Sequence, residues 1–473
     1  MSNVAEELGI NLDGSIAFAP TWSAHNAEAK LLVDDVLTRI NYVPTGIKTD
    51  AKYRTVVASI LALSSAVLAK DAGVLALSKD RSTWTPYAVG MDTILKVFNM
   101  MEVQGLIGFM PDSGKRIFYG EPNDKGKQKW QGVLSQYCVN DALFELEGYH
   151  RARWVETGRP PVMVGKPETR GASITRKKMG LKKPKLAITA VKKTFGRDYA
   201  RAATGVKLLG TYWQAHPLEL PSSDSSNLVT PYAASATRIY HNGRMDSGGR
   251  YYGAWTNKSS KQRLSGSIDD EPLVEIDLNA AQPTLFSALM GHTMEVENTW
   301  TDLYGEIIRH LGGSATEETK RKKLKQCVVE VIGTGNIAKT HPALDTGVTW
   351  EDQGEWDIYR ATLLYHVPAL AMLDAKYYNG SGFVSYHESQ VMTEVLHDLM
   401  ARNVVAYPIH DCLLVKKSDQ EIALEAYRTI LRNYILRFNR INNTDEVNIT
   451  FPVSVEELDK VKVRVAGSYN CYN

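Results

Sequence analysis

The chain has 473 residues, of which 44% are hydrophobic and 23% charged. These are the proportions of a globular protein with room for two or three domains, and they exclude a disordered or fibrous chain. The 55 basic and 53 acidic side chains nearly cancel to +2, so a polyanionic partner would have to be recognised by local charge. The four cysteines, Cys138, Cys327, Cys412 and Cys471, lie far apart with no Cys-x-x-Cys pair. That argues against a zinc site or a disulfide framework and fits a reducing cytoplasm.

The first fifteen residues lack the basic-then-apolar pattern of a secretory signal. No apolar run approaches the roughly 20 residues that span a bilayer. A cytoplasmic protein with no membrane partner is the expectation.

Residues 1–165 read as a mostly helical α/β domain. Apolar spacing predicts a helix over 51–70 and a second from Met91 to Gly105, after the start signal Ser82-Thr83-Trp84-Thr85-Pro86. The runs 106–110 and 116–120, separated by Pro111, Asp112, Ser113 and Gly114, look like a hairpin. Helices followed by a hairpin fit either a winged helix, gripping DNA through Lys115 and Arg116, or a small α/β scaffold.

Residues 166–232 form a basic segment and linker. Between 170 and 201 stand eleven basic residues, from Arg170 to Arg201, against the single acid Asp198. This local imbalance suits phosphate contacts. The Pro- and Ser-rich stretch 216–232 then leads into a catalytic core placed at 233–473.

In that core, Leu273-Val274-Glu275-Ile276-Asp277-Leu278 reads as a strand, with Asn279 expected to cap the following helix. Farther on, Asn403 to Ile409 reads as a strand, His410-Asp411-Cys412 as a tight turn and Leu413 to Lys416 as the returning strand. Each aspartate alone serves equally well as a cap or turn residue. Together, on the ends of apolar strands, they are costly unless they meet a cation. Two Mg²⁺ ions, with Mn²⁺ able to substitute, held roughly 3.5–4 Å apart by such carboxylates suit phosphoryl transfer. Between the two lies a helical stretch, Thr319 to Gly333, that sets Arg321 and Lys325 on one face, four residues apart, where both could reach a triphosphate.

The order of these elements resembles the superfamily of family A DNA polymerases and single-subunit phage RNA polymerases over roughly residues 240–420. Asp277 and the helix after it resemble motif A, Arg321 and Lys325 the Arg-xxx-Lys of motif B, and His410-Asp411 the His-Asp of motif C. Asp246-Ser247-Gly248-Gly249-Arg250 matches the Asp-x-x-Gly-Arg pattern of the phage enzymes. The resemblance implies an α+β right-hand polymerase with palm, fingers and thumb. It also implies Asp277 and Asp411 as metal ligands, His410 near the primer end, and Lys325 beside the leaving pyrophosphate. Arg250 and Tyr252 would lie beside the template–primer duplex, with Asp246 in the same motif. The implied partners are a DNA template, a primer or nascent strand, and nucleoside triphosphates. A phage or plasmid replicon in a bacterial host cell would be a natural home.

The chain departs from the pattern in several places. Val329 stands where motif B carries an aromatic residue, Gly333-Thr334-Gly335 replaces the usual Tyr-Gly, and Cys412 replaces an acid after motif C. Glu275 is a candidate substitute for that third acid. Gln282 occupies the position that helps choose the sugar; its bulk points towards deoxynucleotides, whereas the Asp-x-x-Gly-Arg match points towards RNA or primer synthesis. A reading of another class is a catalytically silent DNA-binding replication initiator.

Overall fold

The computed structural model describes residues 16–69, 74–78, 84, 87–111, 113, 116–119, 129–132, 134–168, 185–220, 232–292, 302–334, 349–373, 380–444, 453–458 and 463–465. The protein is a mixed α+β chain that divides into two compact units. One comprises residues 1–237 with 253–257, the other 238–252 with 258–473. Among the described residues no helix is long and apolar enough to cross a membrane.

In the first unit, a short strand β1 (Ile16–Ala17) is followed by helices α1 (Ala27–Arg39) and α2 (Ile47–Ala69), strand β2 (Val74–Leu77) and helix α3 (Met91–Val103). Helix α3 stops where expected, because Gly105 adopts φ +68, the left-handed conformation that closes a helix and that glycine adopts without strain. Strands β3 (Ile107–Phe109), β4 (Arg116–Tyr119), β5 (Lys129–Gly132) and β6 (Ser135–Val139) follow. The expected hairpin between β3 and β4 does not form. Strand β3 pairs with β6, in the sheet order β1-β2-β6-β3, while β4 pairs with β5 in a separate ribbon. Asn140 fixes this choice: its backbone N–H donates to the Leu106 carbonyl and its side-chain amide to the Gly105 carbonyl, tying β6 to the start of β3. Lys115 lies outside the described residues. The core is aromatic at its centre, where Phe98 packs edge-on against Phe18 and Tyr137.

Helix α4 (Ile188–Ala215) buries Val191, Ala202, Ala203, Val206, Leu209 and Trp213. It leaves Lys192, Lys193, Arg197, Arg201 and Lys207 exposed. Residues 170–184 of the basic stretch lie outside the described residues, as do 221–231 of the expected linker.

The second unit is organised on strand β8 (Glu271–Leu278), with strand β7 (Gly248–Gly253) earlier in the chain carrying Arg250. Helices α5 (Ala281–Leu289), α6 (Leu303–Arg309), α7 (Glu317–Thr334), α8 (Gln353–His366) and α9 (Gly380–Ala401) come next. Strands β9 (Ala406–Ile409) and β10 (Cys412–Lys416) then form the expected hairpin, before helix α10 (Gln420–Asn442) and strands β11 (Val453–Glu457) and β12 (Val463–Val465). Strand β8 is central, antiparallel to β10 on one side and β11 on the other. Both its edges are therefore paired, and four consecutive buried residues, Leu273, Val274, Glu275 and Ile276, show that both its faces are covered as well. Helices α5, α9 and α10 pack on one another, joined by a polar link in which the buried Asn439 amide donates to the Ala288 carbonyl at 3.1 Å.

Asn279 does not cap helix α5. Ala280 takes that position in the left-handed region, at φ +51, and Asn279 instead accepts a hydrogen bond from the Ser454 hydroxyl at 3.2 Å. The reversal of the chain after Asp277 thus comes from backbone conformation and not from a side-chain cap.

Candidate active site

Antiparallel pairing sets Asp277 opposite Cys412 on one side and Ser454 on the other. Cys412 pairs with Ile409, so His410 and Asp411 are the two residues of a tight hairpin loop, with His410 at φ +58. Asp411 therefore sits one residue from the partner of Asp277. Its backbone carbonyl accepts a 2.7 Å hydrogen bond from the Tyr427 hydroxyl on α10, which fixes the height of the loop.

Asp277 and Asp411 line a cavity of about 720 Å³ together with Arg250, Gln282, Arg321 and Lys325. These six are residues the sequence singled out, and the fold brings them to one place. Lys325 is exposed on α7, its ammonium 5.9 Å from the centre of the Tyr304 ring. Arg321, one turn earlier, is engaged in a two-pronged pair with Asp302 at 2.8 and 2.5 Å and reaches Glu317 at 3.4 Å. A phosphate drawn to Arg321 would have to share it with Asp302.

His410, Tyr252 and Asp246 do not line the cavity. The His410 ring stands edge-on to Tyr252, with centroids 5.5 Å apart. Burial, then Arg250 and Arg263, lower the His410 pKa to about 4, so its imidazole is neutral at pH 7. Asp246 is bound to Arg244 by two 2.7 Å hydrogen bonds, which hold its carboxyl below the usual range. Glu275, the candidate third acid, also lies outside the lining. Arg263 holds both its oxygens, at 2.6 and 3.1 Å, and Ser260 donates to one of them. Its charge is matched by Arg263 within β8's own surroundings.

Sequence reasoning missed Glu388. This acid on α9 is almost wholly buried and grips Arg250 through two 2.6 Å bonds. Val384, Glu388, Val391 and Val395 form one buried helical stripe, and an acid within such a stripe was the available signal. Also missed were Asp302, Tyr304, Asn279 and Ser454, all lining the cavity. The Asn279 amide nitrogen is buried without a hydrogen-bond partner among the described residues, leaving a donor for an oxygen-bearing ligand.

The residues present fit a hard divalent cation. Desolvation, reinforced by Glu388 and Asp277 and opposed by Arg250, pushes the Asp411 carboxyl up to about 8. A group so placed takes up a proton or a metal ion, and oxygen donors from two aspartates are the set that Mg²⁺ accepts while keeping some of its waters. Among the described residues no group of three or more acids, histidines or cysteines is close enough to enclose a metal alone.

No protein-family profile matches the chain, and no curated protein does. Among solved structures, the chain is similar to the POL domain of Pol1 from M. smegmatis, determined in complex with DNA primer-template and dNTP. The TM-score is 0.31 at 11% identity, over 62% of this chain and 58% of that one, so the chain spans less than two thirds of that domain. A likeness at that level carries no functional weight.

Proposed function

We propose that the chain is a template-directed nucleotidyltransferase of the right-hand polymerase type, with β8, the β9–β10 hairpin and β11 as its palm and α7 as a fingers helix. One observation carries the reading. Asp277 near the end of β8 and Asp411 in the adjoining β9–β10 hairpin loop line the same cavity as an Arg-xxx-Lys helix face. A nuclease needs the paired carboxylates but not the basic face, whereas nucleotidyl transfer needs both.

In this reading Asp277 and Asp411 hold two Mg²⁺ ions, which when bound supply charge for activating a 3′-hydroxyl and stabilising a leaving pyrophosphate. Lys325, exposed and with no carboxylate partner among the described residues, meets the phosphates as a compact charge. Arg321 does so from its pair with Asp302. Neutral His410 and its neighbour Tyr252 support the hairpin that presents Asp411. Gln282 lines the cavity on the α5 side, where its bulk would disfavour a ribose 2′-hydroxyl, so the product is read as DNA; RNA or primer synthesis is the alternative outcome of the same assay.

The first unit has a chain order of helices, strand, helix and two antiparallel strands, with the β4–β5 ribbon inserted between the last two. That order supports a winged-helix module for duplex DNA in which β4–β5, not β3–β4, is the wing.

The test is incorporation of labelled dNTPs or NTPs on primed and unprimed templates with Mg²⁺, beside Asp277→Ala and Asp411→Ala. Extension lost in both variants supports the reading. Template binding without incorporation under any metal would replace it with a silent initiator.

A further inference from the structure

The α7 wall of the cavity is cationic and aliphatic: Arg321, Lys325, Val328 and Val329. Val329 is 63% exposed, no aromatic ring stands on that wall, and the planar Arg321 guanidinium is already paired with Asp302. Tyr304 is the one aromatic residue among the described lining residues. Its backbone is held firmly. Asp302 caps α6 by accepting the Gly305 N–H at 3.1 Å and binds Arg321 of α7 at the same time, while the next residue, Leu303, is buried. The Tyr304 ring, partly exposed, lies 5.9 Å from the Lys325 ammonium of α7, and burial, reinforced by Asp411 and opposed by Arg321, pushes its phenol upward. It shares the cavity with the two aspartates and with the cationic helix face.

We propose that Tyr304 is the surface on which the nucleoside end of the incoming nucleoside triphosphate rests, supplying from α6 the aromatic contact that Val329 cannot supply from α7. The proposal rests on the reading of this cavity as a nucleotide site and adds the residue that recognises the nucleoside. An aromatic face is sequence-tolerant because every base has a π-face, so the contact would raise affinity for all four nucleotides alike. Stacking of this kind is worth about a tenfold change in affinity per base.

The test compares binding of dATP, dTTP and inorganic tripolyphosphate, each with Mg²⁺, to the full-length chain and to Tyr304→Phe and Tyr304→Leu, by calorimetry. The expected result is that wild type prefers the nucleotides to tripolyphosphate. Tyr304→Phe should keep that preference, and Tyr304→Leu should lose it by about tenfold with tripolyphosphate binding unchanged. Equal nucleotide affinity in Tyr304→Leu and wild type overturns the proposal. So does an equal loss for tripolyphosphate, which would mark Tyr304 as structural, or a wild type that does not distinguish nucleotide from tripolyphosphate. Primer extension by wild type is scored separately: Tyr304-dependent nucleotide preference without extension would overturn the polymerase reading and leave this one standing.

Discussion

Arg250 and Glu388, 138 residues apart, form a two-pronged ion pair with both bonds at 2.6 Å. The Glu388 side chain is only 3% exposed and Arg250 20%, so β7 and α9 are joined through a carboxylate that has left water. Breaking such a pair from one side costs about 3–5 kcal/mol because the remaining charge stays buried. Arg250→Ala is expected to be destabilised on that scale, and Arg250→Ala with Glu388→Ala by much less than the sum of the single variants. Urea denaturation of the full cycle measures this; additive losses would show that the two side chains do not act as a unit.

Asp411→Asn is expected to abolish metal-dependent activity while stabilising the metal-free protein. The folded pKa of about 8 lies above the ordinary carboxylate value. The wild-type carboxyl therefore favours folding most below about pH 4 and loses that contribution as pH rises towards 8, by at most about 1.4 kcal/mol per pH unit. Asparagine removes this dependence. Thermal melts between pH 5 and 9 in EDTA should show the variant gaining on wild type as pH rises; parallel curves would contradict a desolvated Asp411 carboxyl.

Mg²⁺ must displace the proton that Asp411 retains near neutral pH. Its affinity is expected to increase from pH 6 to pH 8, with proton release on binding. Calorimetry in buffers of different ionisation enthalpy detects the released proton, and pH-independent binding would count against Asp411 as a ligand.

Much of the site was legible because strand, turn and helix patterns are local. The central strand of the second unit, its aspartate hairpin and the Arg-xxx-Lys helix all follow from period and turn residues. What sequence could not give was pairing across the chain. Nothing near Glu275 announces Arg263, nothing near Arg321 announces Asp302, and Glu388 meets Arg250 only through tertiary packing. The β3–β4 hairpin failed for the same reason: two adjacent strands with a good turn found other partners once Asn140 tied β6 to β3. The missing helix cap at Asn279 reflects a left-handed backbone at Ala280, which residue type does not signal.

Glu275→Gln separates a structural acid from a catalytic one. With Arg263 and Ser260 as its partners, it is expected to lower stability by about 1–3 kcal/mol and leave Mg²⁺ affinity unchanged. A tenfold loss of metal binding in a folded variant would restore Glu275 as a ligand.

Lys325→Ala and Arg321→Ala should differ in kind. Lys325 is exposed, so its loss is expected to lower turnover about a hundredfold with no change in melting temperature. Arg321→Ala also removes the ion pair of Asp302 at the start of α6 and should reduce both. Equal thermal stability of the two variants would mean that the Asp302 pair contributes nothing.

Asp411 lies one residue beyond Cys412, the partner of Asp277, so the offset between the two aspartates follows from the register of hydrogen-bonded strands spaced about 4.8 Å apart. The Tyr427 hydroxyl holds the loop that carries Asp411, and a slip of β10 along β8 would displace the buried Cys412, Leu413, Leu414 and Val415 from their packing. The gauge of the site is therefore protected by the same apolar pattern that folds the sheet, and a lineage carrying it could lose nearly all recognisable sequence while the two carboxylates kept their distance.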